Sequence, residues 1–288
     1  MPAATTHVEF AKDVYRTLDE DLKKRIANKQ MFWLGSQGPD MLFFSRASVL
    51  PGSLHRYGNL MHDQKVPEVM AFFEHWVADD PDLVSYFYGF LCHYALDTTA
   101  HPLINAVART RHQESGVHEG AAHVGMEADI DVWMLHQRGR KITDYDVYKY
   151  FKVDRSSADK LAEMYHSMFK EVFDLDVAEK DVVQSVRDTA FYNGVLYPRK
   201  TTFAVISSLE KLLKMPAAIS GIMLVGKGDT QIINLSHIAY PLRYDPSQTI
   251  SDSFPELYGK AVLKAQRLLR TRSDEDFERN FNGEPKQS

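Results

Sequence analysis

From Asp82 to Val107 apolar and aromatic residues dominate at helical spacing, yet the run contains His93-Tyr-Ala-Leu-Asp97-Thr-Thr-Ala-His101. A helix that is apolar on most of its circumference is buried, so this segment is expected to be the central helix of the fold. Residues four apart on a helix turn about 40° from one another, and the two histidines and the aspartate therefore line one face. Burying imidazoles and carboxylates is costly unless something pairs with them, and the regular spacing predicts a metal-binding stripe. At about 1.5 Å of rise per residue, His93 and His101 stand about 12 Å apart along the axis, too far to share one ion with bonds of about 2 Å. Two ions are expected rather than one, with Asp97 placed to bridge them.

A second pair at the same spacing, His123 and Glu127, falls on the next helical pattern, roughly Gly120 to Gln137. His101, His123 and Glu127 would give three protein ligands and leave the fourth position to water, the open arrangement of a catalytic site. Asp131, one turn beyond Glu127, is expected to orient a ligand from behind. His112 and His118, in the loop between the two stripes, are read as surface or structural residues and are the most plausible substitutes as ligands. His55, His75, His136, His166 and His237 are read as surface or structural residues.

The remaining patterns are helical as well. Phe10, Val14, Leu18, Leu22 and Ile26 predict a helix over Val8 to Ile26. Further helices are expected over Pro67–Val77, Asp144–Phe151, Ser157–Phe173, Glu179–Tyr192, Thr202–Leu213 and Pro255–Arg272. No convincing alternating strand series occurs, so the fold class is all-α. The segment Leu34 to Asp40, with two glycines and a proline, is a turn-rich loop able to aim side chains into a site. Gly58 to Val66, which contains His62, reads as irregular. With no internal repeat and no Gly/Ser/Pro-rich linker, one multi-helix domain over residues 1–272 is expected, with Met215 to Ser253 as a less regular excursion packed on it. Residues 273–288, charged apart from Phe277 and Phe281, are expected to form a flexible tail.

A formal net charge of −5 gives no basic field, which argues against nucleic acid as the first-choice partner. Cys92 is the single cysteine, so no internal disulfide forms and nothing indicates an oxidising compartment. The opening Met-Pro-Ala-Ala is not followed by a secretory leader pattern. The apolar run Pro216–Val225 has about half of the roughly 20 residues a membrane span needs. A soluble, cytoplasmic protein is expected. Tyr57, Phe87, Tyr88 and Tyr94 either shape a headgroup pocket or pack the core, and Phe203 to Val225 either touches a membrane surface or is core.

Taken together, Thr6-His7, Gly38-Pro39-Asp40, His62, His93-x3-Asp97, His101 and His123-x3-Glu127 resemble the bacterial zinc-dependent phospholipase C family and, more distantly, the single-strand-specific zinc nucleases. Asn234 to Pro241 and Ser253 to Tyr258 are similar to the ending of bacterial members, so the likeness spans most of the chain. The resemblance implies a three-zinc site: one ion at Asp40, His62, His93 and Asp97, a second at His7 and Asp97, a third at His101, His123 and Glu127. It further implies that Asp40 doubles as the general base and that water activated on the cluster cleaves a phosphodiester. The implied substrate is a phospholipid headgroup ester or other small phosphoester, with peripheral membrane contact. A nuclease or nucleotide phosphatase on the same cluster, or a metal-stabilised binding protein without turnover, are the alternatives. Iron or manganese suits the same donors. Secreted members use a processed N-terminal tryptophan as a ligand where this chain has Met-Pro-Ala-Ala, so the ion at His7 and Asp97 is expected to be short of protein donors.

Overall fold

In the computed structural model, residues 4–48, 50–78, 80–195 and 233–285 are described, together with 204–205, 208–209 and 211–212. In chain order the elements are α1 (Ala4–Thr17), α2 (Glu20–Arg25), α3 (Lys29–Gly35), a 3-10 segment (Gly38–Ser48), α4 (His55–Asp63), α5 (Val66–Trp76), α6 (Pro81–Ser115), α7 (Glu119–Gln137), α8 (Arg155–Phe173), α9 (Glu179–Val195) and α10 (Phe254–Arg270). The fold is all-α. The strands among the described residues are the two-residue pair β1 (Tyr240–Pro241) and β2 (Thr249–Ile250), paired antiparallel.

Local chemistry sets the helix boundaries. Asp80 accepts hydrogen bonds from the Asp82 and Leu83 N–H groups, with Pro81 in the first turn, and so starts α6. Asp19, Asn28 and Asp154 cap α2, α3 and α8 in the same way. Ser253 and Glu256 form a reciprocal capping box on α10. The Asp19 cap divides the helix expected over Val8–Ile26 into two, although Phe10, Val14, Leu18, Leu22 and Ile26 are all buried. The helix expected over Asp144–Phe151 is instead a pair of 3-10 turns, Ile142–Asp144 and Val147–Phe151, in a stretch whose β-branched and aromatic residues have low helix propensity.

Helix α6 is the axis of the core. Its residues are buried along most of its length from Leu83 to Ala108, and it packs against α1, α3, α7, α8 and α10. Such burial removes apolar surface from water on all sides of the helix, at about 25 cal/mol per Å². The polar stripe of α6 is thereby held deep in the molecule.

Two expectations change at the chain level. His62 lies on regular helix, in α4, and is buried. The segment after Ser273, expected to fray, packs back on the core: Phe277 and Phe281 are buried, and the Tyr94 hydroxyl donates to the carbonyls of Asp276 and Arg279. The reason is that two aromatic rings suffice to anchor a short polar segment when a pocket on the core receives them. Of the helix expected over 202–213, the residues described are helical and exposed. The apolar run 216–225 and most of the proposed membrane-touching stretch lie outside the described residues. No described helix is long and apolar enough to cross a membrane.

Lys160 on α8 reaches both Asp80 and Asp82, each at 2.8 Å, and ties α8 to the start of α6. Its hydrogen bond, with that of Asn28, holds the Asp82 carboxyl below its ordinary value of 3.8. A depressed folded-state pKa contributes stability above the unfolded value and loses it as pH falls. Lys160→Met is therefore expected to lower stability at pH 7 by on the order of 0.5–1 kcal/mol, small because all three side chains retain solvent access. Thermal unfolding of variant and wild type should converge as pH drops below 3.8.

Candidate metal centre

Four elements converge on the polar stripe of α6. His93, Asp97 and His101 come from α6, His7 from α1, Asp40 from the 3-10 segment, His62 from α4, and His123 with Glu127 from α7. Their donor atoms fall into groups within 4.8 Å of one another: His7, Asp40 and His93; His62, His93 and Asp97; and His101, His123 and Glu127. All of the ligands expected from the sequence are thus brought together. His93 and His101 sit in different groups, as the helical rise required. His7 groups with Asp40 as well as lying 3.3 Å from Asp97, so its position is better supplied with protein donors than the sequence suggested.

The orientation of the imidazoles is specific. In four of them Nδ1–H donates to a fixed oxygen: His62 to the Gly58 carbonyl at 2.7 Å, His93 to the Ser36 carbonyl at 3.1 Å, His101 to the Phe281 carbonyl at 3.0 Å, and His123 to Asn105 Oδ1 at 2.9 Å. These acceptors fix each ring's orientation and the place of its Nδ1 proton, so each Nε2 faces the carboxylates and could give its lone pair to a metal. His62 Nε2 lies 3.1 Å from Asp40, His93 Nε2 2.9 Å from Asp97, and His123 Nε2 3.2 Å from Glu127.

Those short distances do not all make hydrogen bonds. His93 Nε2 and His7 Nδ1 are buried without a hydrogen-bonding partner, a state that buried polar atoms rarely adopt. Donor atoms that converge on a common point, rather than pairing with one another, are what a cation requires, and the mixture of imidazole and carboxylate suits zinc. The residues present therefore fit the metal.

Electrostatics point the same way. Burial pushes the Asp40 carboxyl up, but the His62 hydrogen bond and the neighbouring imidazoles outweigh it and hold the group at about 2. Asp97 lies well below the carboxylate range, again against desolvation, because of His101, His93 and His7 around it; Glu127 is lowered as well, first by the positive charge of the chain N-terminus and then by His123 and His101. In return the His101 ring, which burial would deprotonate, is lifted to about 9 by Asp97 and Glu127. Two buried carboxylates and the half-buried Asp40 demand compensating positive charge, which divalent cations would supply without protonating the imidazoles.

Asp131 has a different task from the one expected. Its carboxylate accepts from the Thr5 and Thr6 N–H groups at 3.3 and 2.7 Å and from the Thr6 hydroxyl at 2.6 Å. It thus caps the first turn of α1 and places His7 through the backbone rather than by touching an imidazole. Burial raises its pKa to about 7 despite these donors.

The centre opens onto a cleft of about 670 Å³ whose rim includes His55, Asn59, Asp63, His118, Glu119 and Arg243. His118, read as an alternative ligand, caps α7 by accepting from the Gly120 N–H, and His112 donates to the Val117 carbonyl. The aromatic headgroup pocket does not form from Tyr57, Phe87, Tyr88 and Tyr94. Phe87, Tyr88 and Tyr94 are core residues, and Tyr57 packs against Phe169. Phe43 is the one Phe, Tyr or Trp ring on the described lining. Three contributors were missed in the sequence: Asn105, Phe281 and Asn282. Asn105 continues the four-residue spacing of His93, Asp97 and His101, so its signal was present.

An all-helical chain with buried His/carboxylate groups beside an open cleft has the donor set that a zinc hydrolase needs. Residues 6–174 match the family model described as zinc dependent phospholipase C, and the chain belongs to that family. No curated protein and no solved structure matches it.

Gly38 has φ +51, and a Cβ there would lie 2.2 Å from His93 Cδ2. Gly38→Ala is expected to turn the His93 ring and to reduce bound zinc, read by elemental analysis. Removal of the Asp131 cap in Asp131→Ala should cost about 1–3 kcal/mol, the usual consequence of orphaning buried donors, measured by denaturant unfolding.

Proposed function

We propose that the protein is a zinc-dependent phosphoesterase of the phospholipase C type. The observation that supports this best is the set of anchored imidazoles whose Nε2 atoms face Asp40, Asp97 and Glu127 beside an open cleft. His7, Asp40, His62, His93 and Asp97 would hold a pair of ions, with Asp97 between them, and His101, His123 and Glu127 a further one. Bound zinc would supply Lewis acidity, lowering the pKa of water and offsetting negative charge that builds on phosphoryl oxygens.

The protein's own groups carry the rest. Asp40 is ionised and lies at the cleft edge, so its carboxylate is placed to accept a proton from an attacking water. The carbonyls of Gly58, Ser36 and Phe281 keep the imidazoles from swinging during turnover. The polar rim residues Asn59, His118 and Arg243 give a phosphoester and its leaving group hydrogen-bonding partners. With Phe43 as the one non-histidine ring on the described lining, neither a base-stacking platform nor a cage for a quaternary ammonium is built there. That favours a small polar phosphoester over a nucleic-acid strand.

Elemental analysis of the purified protein tests the reading. Two or three zinc ions per chain are expected. His123→Ala should remove one ion, whereas His93→Ala and Asp97→Ala should deplete the pair. A chelator-sensitive cleavage of bis-(p-nitrophenyl) phosphate should fall with the pair. Absence of zinc from protein exposed to a stoichiometric supply, or cleavage that survives Asp97→Ala, would sink the mechanism.

A further inference from the structure

The third group of donors is not completed by its own helices. His101 takes its orientation from a segment 180 residues further along the chain, and His123 from Asn105, which the same segment contacts; that segment lies beyond the part that matches the family model. The Phe281 carbonyl accepts from His101 Nδ1 at 3.0 Å. Asn282 Oδ1 accepts from Asn105 Nδ2 at 3.3 Å, and Asn105 in turn holds His123 Nδ1 at 2.9 Å. Asn282 is itself fixed by donating to Asp63 at 2.9 Å.

The same segment touches the other group as well. The Phe281 N–H donates to the His62 carbonyl at 3.0 Å, and its ring lies 5.1 Å from the His62 ring and 5.6 Å from the His93 ring. Phe281 is 1% exposed, so it seals this side of the centre from water. Its contacts to His62 and His93 are apolar or to the main chain, whereas those to His101 and, through Asn105, to His123 fix ring nitrogens.

The approach is built into the sequence on both sides. Pro102 sits inside α6 and has no N–H to satisfy the Thr98 carbonyl, which leaves a gap in the helical ladder. Gly283, at φ +73, passes that gap so closely that a Cβ would stand 2.6 Å from Pro102 Cγ and 2.7 Å from the Thr98 oxygen. Only glycine is compatible with that contact.

We propose that the C-terminal strap, Asn280 to Glu284, is a structural part of the metal centre, and that Asn282 and Asn105 are positioning residues that set zinc affinity at the His101/His123/Glu127 position. The proposal rests on the zinc reading given above. Removing the strap's hydrogen bonds frees the His123 ring to rotate and choose its other tautomer, while His93, His62 and Asp97 keep their own anchors. The affinity of one position therefore falls and that of the others does not.

The test is a zinc titration of the full-length, metal-stripped protein against a chelating indicator, which resolves the successive binding steps, combined with thermal unfolding of the zinc-free proteins. Asn282→Ala, Asn105→Ala and Gly283→Ala are each expected to weaken one and the same step by about 10- to 100-fold, leaving the other steps unchanged. Asn105→Asp keeps an acceptor for His123 but has no N–H to give Asn282, so it should weaken the same step as Asn282→Ala does. Zinc-free Asn282→Ala should unfold at the wild-type temperature. Wild-type binding at every step in Asn282→Ala overturns the proposal, and so does a uniform loss at all steps accompanied by a lowered unfolding temperature, which would mark the strap as a general prop for the fold. Wild-type protein that takes up no zinc overturns the proposal together with the reading it rests on, so the two failures are distinguishable.

Discussion

The placement of Asp97 within the apolar helix α6 is the constraint on which the rest of the structure depends. A carboxylate that is 3% exposed cannot stay ionised there without close positive charge or strong donors. The fold answers by bringing His7, His93 and His101 around it and by assembling α1, α4, α7 and the 3-10 segment over the same face. Helix packing and site geometry are therefore one problem. An error in how α1 or α4 docks would leave a buried charge unpaired, at a cost comparable to the net stability of a domain.

Positioning is delegated outward in layers. The imidazoles are held by main-chain carbonyls of Ser36, Gly58 and Phe281 and by the Asn105 side chain, and His7 is placed by the Asp131 carboxylate at the N-terminus of α1. Carbonyl acceptors are rigid because the backbone that carries them is already fixed by helices and turns. The donor atoms are thereby preorganised before any ion arrives, which reduces the ordering cost of binding and excludes alternative ring orientations.

The cleft above this centre is polar. Tyr88, Phe87 and Tyr94, which the composition of α6 made available for a pocket, are buried in the core instead. The rim instead carries Asn59, His118 and Arg243, whose hydrogen bonds are directional.

Much of the centre was legible without coordinates because helical periodicity converts a four-residue spacing into a shared face. That is why His93, Asp97 and His101, and separately His123 and Glu127, could be paired from the sequence, and why the all-α class followed from the apolar patterns. Asn105 belongs to the same series and obeys the same rule. What the spacing could not supply is how separate helices face one another: that His62 lies on a helix, that Asp131 reaches α1, or that His7 meets Asp40 as well as Asp97. Least legible was the strap. Its decisive group at Phe281 is a main-chain carbonyl, which every residue possesses, and its polar composition resembles that of a free tail. The sequence determined which side chains can hold a metal, through the geometry of single helices. Only the tertiary structure decided which of them come within reach of one another and what keeps them in place, because those distances depend on contacts between residues far apart in the chain.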